Sequence, residues 1–223
     1  MISVAIDGPS GAGKSTLSRK AAEKLGYIYV DTGALYRTVG LKFSRIGADT
    51  ELNCDINEVL KTTQVDLRYV DGAQRVFLDG EDVSDLIRSP EASMMASAVS
   101  AKPEVREFLL EMQRKLAREN NVLMDGRDIG TVVLPLATVK IYLTASAESR
   151  AKRRYDELCE KGVAVTYEDV YNDMVQRDYN DMNRKTAPLK KAPDAILADT
   201  SGNTFEQSLE LILKIIKEGL ETK

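Results

Sequence analysis

Eight residues near the start of the chain have the types and spacing to hold a phosphate. Gly8-Pro9-Ser10-Gly11-Ala12-Gly13-Lys14-Ser15 fits the pattern GxxxxGK[ST], and Thr16 follows it. Small residues let a backbone wrap a phosphate with consecutive N–H groups turned inward. A helix starting behind such a loop adds the positive end of its dipole. In that arrangement Lys14 reaches the β- and γ-phosphates as a point charge, and Ser15 offers a hydroxyl to Mg2+. The alternative is a glycine-rich turn with no ligand. The flanks disfavour it, because residues 2–6 read as a buried strand and 15–25 as a helix.

A phosphate loop fixes the triphosphate and not its use. No guanine-reading NKxD segment is present, and the chain is short for a motor. A small nucleotide-gated switch stays open as an alternative, with transfer to a small acceptor as the leading reading. The chain has no histidine. An alcohol acceptor benefits from a base that takes its proton, whereas a monophosphate is already an ionised nucleophile. It needs positive charge and positioning, which contribute most to phosphoryl transfer. Arg150, Arg153 and Arg154 share one face of a helical pattern at i, i+3 and i+4. Arg177 and Arg184 are two helical turns apart, with Asp181 on the same side. Such groups are often only solvated surface charge. Beside a phosphate loop they could instead close over donor and acceptor and exclude water.

Alternating elements must position these groups. Strand-like runs at 2–6, 27–30, 121–124, 139–144 and 195–198 alternate with helical patterns at 15–25, 34–43, 103–118, 147–161, 168–184 and 205–220. That alternation predicts an α/β fold with a parallel sheet covered on both faces. In the last helix Phe205, Leu209, Ile212, Ile216 and Leu220 form one stripe, and Thr204 with Gln207 reads as a capping box. Segments 65–70 and 75–78, around Asp71-Gly72-Ala73, predict a small antiparallel insertion over about 62–90.

The composition excludes other classes. At 223 residues, 43% hydrophobic and 30% charged, the chain can bury a core without disulfides. Cys54 and Cys159 form no metal pair or disulfide framework. The absence of histidine removes His-based triads and His metal ligands. A net charge of −4 argues against a general nucleic-acid binder. No apolar run approaches a membrane span, and the amino terminus does not read as a signal peptide. The expectation is a cytoplasmic protein with no nucleic-acid or membrane partner, and a monomer is the simplest oligomeric reading.

The segments from Ile6 to Thr16, from Asp31 through Thr32 to Arg37, from Asp125 to Val133, from Arg150 to Arg154 and from Gln176 to Arg184 together resemble bacterial cytidylate kinases, P-loop nucleoside monophosphate kinases, nearly end to end. The resemblance implies a doubly wound, five-stranded parallel sheet with a small antiparallel insertion and a helical lid. It implies one domain with a core of about 1–35, 119–145 and 190–223. A monophosphate-binding lobe with the hairpin insertion would cover about 36–118, and a short lid with its flanking helices about 146–189. ATP and CMP or dCMP would be the substrates, with Mg2+ bound alongside ATP. Thr32 and Arg37 match acceptor contacts, with a helix cap and a surface charge as their plain alternatives. Arg127 and Arg184 match acceptor-phosphate contacts. Ser97, Arg106 and Asp128 match the groups that read the base. The logic for Asp128 is sound, since cytosine presents an amino donor that a carboxylate accepts; a structural ion pair is its alternative. Arg177 and Asp181 match sugar contacts. Arg150, Arg153 and Arg154 fall in the lid, with Arg154 favoured at the transferring group. Lys14, Arg127, Arg154 and Arg184 are the expected catalytic set. Asp7 and Asp125 are left open between orienting Mg2+ waters and the structural role common for strand-end acids. A broader UMP/CMP kinase or a shikimate-type kinase is the alternative enzyme.

Overall fold

The computed structural model describes residues 1–70 and 73–221. Asp71 and Gly72, the centre of the expected hairpin turn, lie outside the described residues. Five parallel strands run in the order β2-β6-β1-β7-β8: β1 (Ser3–Asp7), β2 (Ile28–Asp31), β6 (Val122–Gly126), β7 (Val139–Thr144) and β8 (Ile196–Asp199). β1 is central, pairing Ser3 with Val122 on one side and Val4 with Val139 on the other. Its carboxyl end feeds directly into Gly8, and in open parallel sheets ligands bind beyond the strand carboxyl ends. This is the expected doubly wound sheet.

The chain divides into two compact units, Met1–Tyr29 with Ala117–Lys223, and Val30–Leu116. In the first, α1 (Lys14–Leu25) and α8 (Phe205–Glu221) pack Leu17, Ala21, Leu209, Ile212 and Ile216 onto Val4, Ile6, Val139 and Ile141. α8 opens on the expected capping box. Thr204 Oγ1 accepts from Gln207 N at 3.2 Å, and Gln207 Oε1 accepts from Thr204 N at 2.9 Å. The same unit holds α6 (Ala147–Glu160) and α7 (Tyr167–Asn183).

The second unit has its own core, built on Leu35, Val39 and Phe43 of α2 (Thr32–Arg45). A three-stranded antiparallel sheet contributes Val65, Val76 and Leu78, in the order β3 (Val65–Val70), β4 (Ala73–Leu78) and β5 (Glu81–Asp82). α3 (Ile56–Lys61), α4 (Pro90–Ser100) and α5 (Pro103–Glu119) complete it. The sequence pattern missed α3, β5 and α4. The first two are very short. The apolar and small residues of α4 are spread around the helix rather than gathered in a stripe, so only Ser89 and Pro90 announce its start.

Candidate active site

The phosphate loop leaves β1 where only glycine fits. A Cβ at Gly8 would lie 1.9 Å from the Leu143 carbonyl oxygen on β7. The loop ends at Gly13, which takes left-handed dihedrals (φ 81°, ψ 9°) and caps α1 with no side chain. Asp31, Asp55, Ser89, Ser146 and Thr166 each accept a backbone N–H at the starts of α2, α3, α4, α6 and α7. The first N–H groups of α1 therefore stay available to an outside anion, at the positive end of the helix.

Lys14 begins that helix. Its buried ammonium donates to the Pro9 carbonyl at 2.7 Å. Burial first, and then the charge of Arg127, lower its pKa from 10.5 to about 7. Ser15 Oγ donates to Asp125 Oδ2 at 3.0 Å, and Tyr29 donates to Asp125 Oδ1 at 2.8 Å. A hydroxyl and a carboxylate held together are hard oxygen donors of the kind Mg2+ takes. Among the described residues no group of three or more His, Cys, Asp or Glu could hold a metal.

The two strand-end acids do different things. Asp7 accepts from Ile129 N through one oxygen and from Gly130 N through the other, both at 2.7 Å. It thereby anchors the single π-helical turn Ile129–Val133 that follows β6. Burial raises its pKa to about 6, against the lowering by those two N–H groups. Asp125 is the acid that faces Ser15.

Between β6 and that turn stand Arg127 and Asp128. Arg127 Nε donates to Asp181 Oδ2 at 2.7 Å. Asp181 also lies 4.0 Å from Arg184, whose other terminal nitrogen is 3.7 Å from Asp128. Four of the expected residues thus form one charge network in the first unit. The ion-pair alternative for Asp128 has a partner here, Arg184, beyond hydrogen-bond reach at that contact. Arg184 is the C-cap of α7 rather than part of the helix, and its Nε donates to Ala187 O at 2.7 Å. Arg177 is half-buried on α7.

The three arginines of α6 are not gathered. Arg150 is 5% exposed, and it donates to Ala145 O and Ser10 O. Arg153 donates to Thr200 O, and Arg154 pairs with Glu157 at the surface. Asp178, on the buried face of α7 with Val170, Met174 and Asp181, was missed by sequence reasoning. It pairs with Arg150 at 2.6 Å and accepts from Ser10 N at 3.3 Å. Its sequence signal, an acid beside Arg177, gave no hint of a partner 168 positions away.

The second unit holds the remaining expected residues. Asp31, and not Thr32, is the cap of α2: its Oδ1 accepts from Ala34 N at 2.9 Å. Its Oδ2 accepts from Arg37 at 3.0 Å, so Arg37 is a held group rather than a loose surface charge. Thr32 is buried at the first turn. Gln74 of β4 accepts from Asp31 N at 3.1 Å, linking the insertion to this junction. Ser97 and Arg106 meet at Ser100. Ser100 Oγ donates to Ser97 O at 3.0 Å, and Arg106 donates to Ser100 O at 3.1 Å. The Arg106 guanidinium lies 5.4 Å from the Tyr36 ring centre.

With this geometry in view, the profile of the cytidylate kinase family matches residues 4–218. The chain belongs to the cytidylate kinase family. Relatives named cytidylate kinase carry the same result. That of Caldicellulosiruptor bescii is 52% identical over 214 residues, covering 96% of this chain and 95% of its own. That of Carboxydothermus hydrogenoformans is 48% identical, covering 96% of each. Every residue of the site described above falls within the matched span of this cytidylate kinase family member. Among solved structures, a gluconokinase from Sinorhizobium meliloti superposes with a TM-score of 0.53 at 12% identity, covering 99% of this chain and 94% of its own. That likeness supports the fold alone.

Proposed function

We propose that this chain transfers the γ-phosphoryl group of ATP to CMP or dCMP, releasing ADP and CDP or dCDP. The observation that carries the reading is 52% identity, over nearly the whole chain, with a protein named cytidylate kinase. An uncapped α1 behind a glycine loop supports the donor half. An ionised oxygen of the acceptor phosphate attacks the γ-phosphorus, and the bond to the β–γ bridging oxygen breaks as ADP leaves. No base is required, in keeping with a chain that lacks histidine. The loop N–H groups and Lys14 hold the donor phosphates. Ser15, with Asp125 behind it, would hold the Mg2+ that accompanies ATP, and the ion would supply positive charge to the transferring phosphates.

For the acceptor phosphate, the first unit offers Arg127 and Arg184 and the second offers Thr32 and Arg37. Arg177 and Asp181 take the sugar hydroxyls. Asp128 accepts from the cytosine amino group, while Arg106 and Ser97 serve the ring acceptors. Uracil reverses the donor and acceptor at these atoms, and unpaired buried polar groups then reject it. Arg154 leaves Glu157 to meet the transferring group as the lid within 146–189 closes, with Arg153 beside it on α6 and Arg150 already seated at the phosphate loop. The lobe of 36–118 serves the acceptor, on a core of 1–35, 119–145 and 190–223. The enzyme acts as a cytoplasmic monomer.

The test measures ADP release from ATP and Mg2+ with no acceptor, and then with CMP, dCMP, UMP, AMP or shikimate singly. Release that depends on CMP or dCMP is expected; equal release without acceptor overturns the proposal in favour of an ATPase or switch. In Asp128→Ala, the preference for CMP over UMP in kcat/KM should fall by about 10- to 100-fold. An unchanged preference removes Asp128 from base reading.

A further inference from the structure

The tip of the phosphate loop is gripped at consecutive peptides by groups that the loop motif does not contain. A trans peptide points its C=O and N–H in opposite directions. The Pro9–Ser10 peptide is held at both ends: Lys14 donates to its oxygen at 2.7 Å, and Asp178 accepts from its N–H at 3.3 Å. In the next peptide Arg150 donates to Ser10 O at 2.8 Å, which turns the Gly11 N–H the opposite way. Arg150 and Asp178 are themselves paired at 2.6 Å, and their side chains are 6% and 12% exposed. A third donor bond, from Arg150 Nε to Ala145 O at 2.9 Å, fixes the guanidinium. Gly11 packs against the same two helices. A Cβ there would meet Met174 Cε of α7 at 2.8 Å and Arg150 Cβ of α6 at 3.4 Å.

We infer that Arg150 and Asp178 form a brace that presets the phosphate loop for the donor nucleotide, with Asp178 as a positioning residue. Lys14 must leave Pro9 O when it turns to the phosphates of ATP. From then on Asp178 is what keeps the Pro9–Ser10 peptide in its plane, and Arg150 keeps the next one. A carboxylate at an anion cradle would ordinarily repel phosphate. Here Arg150 neutralises it, and its contact is with Ser10, outside the open N-terminus of α1. Preorganised donors of this kind are what bind and stabilise a phosphoryl group.

The inference rests on the ATP-dependent reading above, and the test separates the two. Dissociation constants for MgADP and for CMP are measured by calorimetry, alongside thermal unfolding and kcat and KM for both substrates. In Asp178→Ala, MgADP binding should weaken at least tenfold and KM for ATP should rise, while CMP binding stays within twofold. Asp178→Asn keeps an acceptor for Ser10 N and should fall between wild type and Asp178→Ala. Removing one member of a buried pair can unfold a protein, so Arg150→Met with Asp178→Leu removes both charges at similar volume. This double variant should unfold cooperatively and still bind MgADP at least tenfold more weakly. Wild-type MgADP affinity in the double variant or in Asp178→Asn, or tighter binding in Asp178→Ala, overturns the brace. Failure of the unaltered protein to bind MgADP would count against the donor assignment instead.

Discussion

Two strand-to-helix junctions in this molecule have opposite designs. After β1 the chain runs through a glycine loop and enters α1 at Gly13 with no side-chain cap. After β2 it turns directly into α2, and Asp31 closes the helix start with its own carboxylate before gripping Arg37. Both helix starts carry the same partial positive charge. The second junction satisfies that charge internally; the first leaves it for a ligand. An anion site therefore depends as much on the absence of a cap as on the presence of a lysine.

The contrast disappears if α1 is closed in the manner of α2. A Cβ at Gly13 has room, meeting only Leu17 Cδ1 at 3.6 Å, and aspartate tolerates left-handed dihedrals better than most residues. Gly13→Asp should therefore fold, while its carboxylate occupies the helix start and repels phosphate. Calorimetry should find MgADP binding weaker by about 100-fold or more, the scale of losing a charge-assisted contact. Thermal unfolding should shift by only a few degrees, on the order of 1 kcal/mol. Unchanged nucleotide affinity would show that the open helix start is irrelevant to binding.

Opening α2 is the reciprocal change. Asp31→Ala removes the bond to Ala34 N, worth about 1 kcal/mol, and frees Arg37. A lower melting temperature is expected, with KM for CMP raised by up to about fivefold, the worth of one partly exposed ion pair, and MgADP affinity unchanged. Asp31→Asn retains a cap oxygen and loses the ion pair, so it should recover stability but not KM. Equal CMP kinetics in all three proteins would detach the Asp31–Arg37 pair from the acceptor.

The first junction could be read from the sequence and the second only in part. Glycine spacing, Lys14 and Ser15 are local, and their meaning survives without coordinates. The five strands and the α8 capping box are also local patterns, and all were legible. Asp178 was not, and Asp7 was legible only as a strand-end acid without its partners. Each acts on backbone atoms more than a hundred residues away, and no periodicity encodes that. The π-helical turn after β6 depends on Asp7 in the same way. The arginines of α6 could be placed on one helix, but their separate partners could not be read. Arg150 turns inward to the loop and pairs with Asp178, while Arg154 pairs with Glu157 at the surface.

The two junctions should also differ in how binding couples to protons, the smallest effect expected. Lys14 is held at about pKa 7 by burial and by Arg127. A base whose folded pKa lies below its unfolded value of 10.5 binds fewer protons in the folded state across that window. The burial cost is complete below pH 7, and ligand-free stability should rise as pH climbs from about 7 toward 10. Asp7, raised from 3.8 to about 6, acts at lower pH and does not overlap. Phosphates placed against Lys14 favour its charged form, so nucleotide binding at pH 8 should take up close to one proton. Calorimetry in buffers of different ionisation heat reads this directly. Uptake should shrink toward pH 6 and vanish in Lys14→Met. CMP alone meets a guanidinium at the α2 junction, not an amine, and should bind at pH 8 without uptake. Equal uptake for MgADP and CMP would place the titrating group outside the phosphate loop.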